Sequence, residues 1–126
     1  MTITPKYVTL EQAKLLKEKG FNEECTHIYS AMKDQKGLLL EVKEKTSNSY
    51  GPYTLTAPTI SEVVMWLYEK YEIWIWVSME LGATNTFCWQ LTGEHTSSNY
   101  KAYFKTPTEA YVDAITYTLT NKNTLK

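Results

Sequence analysis

The chain contains no arginine; all thirteen of its basic residues are lysines. Arginine's planar fork is the usual tool for gripping phosphate or carboxylate at two points, so its absence argues against kinase-like, nuclease-like and DNA-reading roles. The lysines are interleaved with glutamates, and the net charge of −1 supplies no field for nucleic acid or an anionic membrane surface. Glycine is scarce, with five scattered residues and no phosphate-cradling loop among them. Aspartate is scarcer still: Asp34 and Asp113 are the only two, and no pair of carboxylates is spaced for acid–base work. The apolar runs are all far shorter than the roughly 20 residues of a membrane helix. The start, Met1 to Lys6, has no basic segment leading into an apolar one, so no signal peptide is expected. With only Cys25 and Cys88, the simplest expectation is two free, buried thiols in a reducing cytoplasm.

What is present is a set of helix starts and alternating strands. Thr9-Leu10-Glu11-Gln12 has the form of a capping box, and Gly20 followed by Phe21 ends the helix it opens. Cys25 to Met32 and Leu38 to Lys45 alternate as a strand pair around the polar loop Lys33 to Gly37. Thr59-Ile60-Ser61-Glu62 opens a second helix, in which Ile60, Val63, Val64, Leu67 and Tyr71 share a face. Glu72 to Glu80 and Thr86 to Leu91 form the next hairpin, and Tyr100 to Phe104 a short edge strand. Thr106-Pro107-Thr108-Glu109 starts the last helix, and Asn121 to Lys126 reads as a frayed tail. At 126 residues and 43% hydrophobic composition, this predicts one α+β domain. The expected order is α-β-β-α-β-β-(β)-α, with one mainly antiparallel sheet of four or five strands and helices gathered on one face.

Soft metal ligands are Cys25, His27, Cys88 and His95. Structural zinc sites use tighter cysteine pairs, so a core thiol beside a hydrogen-bonded histidine is the better reading, with no metal and no cofactor. No local motif joins either cysteine to a histidine as a nucleophile and base, and the chain is read as non-catalytic.

Aromatics are in surplus: ten tyrosines and four tryptophans. In Ile73-Trp74-Ile75-Trp76-Val77-Ser78-Met79 the indoles alternate strictly with aliphatic residues. Two arrangements satisfy this. Either the aliphatic side meets the helices and Trp74 and Trp76 form an open binding face, helped by Trp89 or Tyr29, or the tryptophans are core. The open face would serve a homodimer or a protein partner. Alternatively, Tyr50 and Tyr53, in the long loop Thr46 to Thr56, could join the tryptophans in stacking on a small ligand, as a scavenger would.

Three blocks carry a resemblance: Val8 to Phe21, Ala57-Pro58-Thr59 leading to Trp66-Leu67-Tyr68-Glu69-Lys70-Tyr71, and Tyr103-Phe104-Lys105-Thr106-Pro107-Thr108-Glu109-Ala110. Together they resemble a group of short proteins encoded by phages and prophages of gut Bacteroidetes bacteria. That group has no established activity, so the resemblance implies no catalytic residue. It implies an intracellular, phage- or prophage-encoded accessory protein.

Overall fold

The computed structural model describes residues 6–30, 37–50, 54–80, 86–93 and 100–121. The elements run α1 (Leu10–Glu18), β1 (Cys25–Tyr29), β2 (Leu39–Thr46), α2 (Ile60–Tyr71), β3 (Trp74–Met79), β4 (Phe87–Thr92), β5 (Tyr100–Phe104) and α3 (Pro107–Thr120). The chain is α+β, and its contacts gather into two compact units, Met1–Thr59 and Ile60–Lys126.

In the first unit, α1 starts where its cap dictates. Thr9 Oγ1 accepts from the Gln12 amide at 3.2 Å, and Gln12 Oε1 accepts from the Thr9 amide at 3.0 Å. The helix ends on Gly20 with a φ of 86°, a conformation that costs glycine nothing. The Gly20 amide donates to Lys17 O and the Phe21 amide to Leu16 O, the paired bonds of a Schellman ending. Phe21 turns back into the core beside the buried stripe Gln12, Ala13 and Leu16.

Strands β1 and β2 pair antiparallel, His27 opposite Glu41 and Tyr29 opposite Leu39, with a register shift between Cys25 and His27. The other edge of β1 is taken by the segment around Thr56: the Tyr29 amide donates to Leu55 O, and the Ala57 amide to His27 O. Asn48 holds that segment in place. Its Nδ2 donates to Phe21 O at 2.8 Å, and its Oδ1 accepts from the Thr56 amide at 3.0 Å. The end of the Thr46 to Thr56 stretch is therefore pinned at Leu55 and Thr56.

The second unit is a meander, β3-β4-β5, with both pairings antiparallel. Helix α3 crosses all three strands, and α2 packs on β3 and α3. Ile75, Trp89 and Leu91 share the covered side, because Ile75 stands opposite Leu91 and Val77 opposite Trp89. Helix α3, packed on this side, buries Ala110, Ala114, Ile115 and Leu119. Helix α2 ends in a left-handed residue that is not glycine: Glu72 has a φ of 57°, and its amide donates to Tyr68 O.

One sheet of four or five strands is the sequence-based expectation; the described strands form two sheets, of two and three strands. Within the first unit, the second edge of β1 bonds to the backbone of residues 55 and 57, which closes that edge to a further strand.

Candidate functional site

The uncovered side of the three-stranded sheet follows from strand parity. Residues directly opposite one another share a face. Trp76 stands opposite Gln90, and Gln90 opposite Tyr100, so one row across the sheet reads Trp76, Gln90, Tyr100. Neighbouring rows on that side hold Trp74 with Thr92, and Ser78 with Cys88. Trp76 is 56% exposed and Tyr100 55% exposed. Trp74 is half-buried, and its ring meets Tyr68 of α2 edge-on at 5.5 Å. Tyr68 is itself exposed, which extends the aromatic surface past the end of the sheet.

Toward the hairpin end this face becomes polar. Ser78 Oγ lies 3.2 Å from Cys88 Sγ. Burial, and then the neighbouring Cys88 and Glu80, push the Tyr100 phenol up to about 12. The ring is half open to solvent while its hydroxyl leans on the thiol and the carboxylate, so the protonated phenol is the form this corner favours.

The residues expected to act together do not all meet. Trp74 and Trp76 share the uncovered face. Trp89 does not join them: it is 2% exposed, on the helix side of β4, and its ring packs against Tyr117. Its parity with Val77 puts it there, so its assignment to the binding face is corrected to core. Tyr29 belongs to the two-stranded sheet of the first unit, where its hydroxyl donates to Val8 O. Tyr50 closes a short 3-10 turn, Asn48–Tyr50, while Tyr53 and His95 lie outside the described residues.

Cys25 and His27 make separate contacts. The Cys25 thiol donates to Glu23 O, whereas the His27 ring stacks on Tyr7 at 4.1 Å, with Glu41 3.8 Å from its Nε2. Both cysteines are buried thiols outside any disulfide. Among the described residues no three His, Cys, Asp or Glu side chains converge as a metal site, and no helix is long and apolar enough to cross a membrane.

Tyr68 and Tyr100 are absent from the sequence-derived site. A β-bulge hides Tyr100: β5 shifts register between its pairings with Phe87 and with Trp89, and Tyr103 in the bulge has a φ of 73°. Sequence parity within β5 therefore does not show which β4 residue faces Tyr100. The sequence also carries no sign of an open groove of about 440 Å³ between β5 and α3, lined by Phe104, Thr108, Glu109, Val112, Asp113 and Thr116.

Compared with protein-family models, with curated proteins and with solved structures, the chain matches none.

Proposed function

We propose that this is a non-catalytic interaction protein, phage- or prophage-encoded and acting in the bacterial cytoplasm, that self-associates through the uncovered aromatic side of its three-stranded sheet. The carrying observation is the row Trp76, Gln90, Tyr100, whose two aromatics are each more than half exposed on the side away from α3. Exposed indole and phenol rings flanked by polar groups are the usual composition of a protein-binding patch. The sequence resemblance supports the phage origin, and two buried cysteines that are not joined by a disulfide suit a reducing compartment.

Light scattering over a concentration series tests this. The wild-type protein is expected to reach dimer mass at micromolar concentration, and Trp74→Ala with Trp76→Ala to stay monomeric with an unchanged far-UV spectrum. Equal masses for the two proteins at every concentration would overturn the reading. If the wild type is a strict monomer, a host or phage protein becomes the partner to seek.

The groove between β5 and α3 favours a second reading, a small-ligand scavenger. Its volume lies in the range of ligand sites, and the Phe104 ring offers a stacking surface. Native mass spectrometry of protein purified from its host would detect an adduct; a clean apo mass counts against this reading.

A further inference from the structure

The free edge of β3 carries a more specific inference, which rests on the self-association proposed above. The Glu80 amide donates to Thr86 O, and these two residues continue the register of the β3–β4 ladder. Hydrogen-bonded pairs alternate along an antiparallel ladder. Trp74, Trp76 and Ser78 therefore bond to β4, while Ile75, Val77 and Met79 turn both of their backbone groups to the opposite edge. Among the described residues no strand takes up that edge.

The two edges of this sheet are built differently. On β5 the ladder is broken by the bulge, Tyr103 stands 81% exposed in a left-handed conformation, and Lys101 and Lys105 bring charge. Bulges and edge lysines are the means by which sheets avoid pairing with another chain. Strand β3 has none of these. Trp74–Met79 is regular along its whole length, without proline, charge or bulge. Met79, at its end, is half exposed.

We propose that β3 pairs antiparallel with β3 of a second copy, about a two-fold axis at Val77. In that register Val77 faces Val77, Ile75 faces Met79, and every outward amide and carbonyl of the three residues finds a partner. Trp76 faces Ser78 and Trp74 faces Glu80, so no glutamate opposes a glutamate. A centre one residue earlier, at Trp76, would set Glu72 against Glu80. The near-zero net charge adds little repulsion between copies. The product is one continuous sheet across the dimer, with the Trp74–Trp76 pairs of both copies on the same face of that sheet.

Val77→Pro tests this directly. The Val77 amide points away from β4, so proline removes an intermolecular donor without removing a bond of the β3–β4 ladder. The expected result is loss of the dimer by light scattering, with near-UV and far-UV spectra unchanged. If Val77→Pro still dimerises while Trp74→Ala with Trp76→Ala does not, the edge pairing is overturned and the aromatic-face reading stands. A wild type that is monomeric throughout overturns both. Hydrogen exchange on the wild-type protein needs no variant to fold: protection of the Ile75, Val77 and Met79 amides should rise with protein concentration. Exchange at these amides that ignores concentration would overturn the pairing.

Discussion

The Trp89 indole N–H donates to Asp113 Oδ2 at 2.9 Å, tying the central strand of the meander to the helix that covers it. Lys101, on the neighbouring strand, places its ammonium 3.6 Å from the same carboxylate oxygen. A tryptophan that looks like a binding residue in the sequence is thereby a structural one: its ring fills the core, and its single polar atom is satisfied within the unit.

Asp113→Ala leaves that indole donor buried without a partner. It should cost about 1–3 kcal/mol, measured as a shift in the denaturant midpoint. Asp113→Asn keeps an acceptor oxygen and should cost less than half as much. Equal midpoints for wild type and Asp113→Ala would show that water satisfies the indole just as well.

Glu72 occupies the left-handed position at the end of α2 that glycine normally takes. Glu72→Gly removes the steric cost of a Cβ there and should stabilise the protein by roughly 1 kcal/mol. The checking measurement is the thermal midpoint, which should rise by several degrees. A fall would mean that the glutamate side chain contributes more than its backbone conformation costs.

Asn48 joins two backbone segments, donating to Phe21 O and accepting from the Thr56 amide. Asn48→Ala breaks both bonds and should cost about 1–3 kcal/mol. Because the loss is local, the Thr56 amide should also exchange faster with solvent. Unaltered exchange there would mean that the segment is held by its bonds to β1 alone.

The Tyr100 phenol, pushed up to about 12 from an ordinary 10, makes stability pH-dependent in one direction. The unfolded chain loses this proton near pH 10, whereas the folded chain holds it. The contribution is thus complete below pH 10 and is lost as pH rises toward 12. Wild type should lose more stability than Tyr100→Phe across that window. Glu80→Gln should lower the Tyr100 midpoint, followed by NMR of ring-labelled tyrosine. Burial also raises the Tyr29 phenol, so that resonance should be among the late ones to titrate.

Helix starts and stops were readable because they are written in adjacent residues. Thr9 and Gln12 bond to each other, and the Gly20 and Phe21 amides bond back to Lys17 O and Leu16 O, as their spacing implies. At α3 the Thr106 cap receives the Glu109 amide as expected, but the return arm differs: Glu109 Oε2 accepts from the Lys105 amide. Alternation in β3 likewise separated buried Ile75 from exposed Trp76. The position of Trp89 was less legible, because its face depends on which β3 residue stands opposite, and parity within β4 permits either assignment to the binding side.

The sequence by itself determined the elements and the alternation along the regular strand β3, since caps, turns and period-two alternation act over a few residues. Only the tertiary structure decided how strands were grouped. It was decided by bonds between distant residues: the backbone of residues 55–57 on the edge of β1, Asn48 on Phe21, and α3 on the β3-β4-β5 meander. Those pairings place Trp89 inside, bring Tyr100 into the row with Trp76, and leave the second edge of β3 without a strand partner among the described residues. Such long-range choices depend on which backbone donors remain unpaired once local structure has formed, and no short window of sequence contains that information.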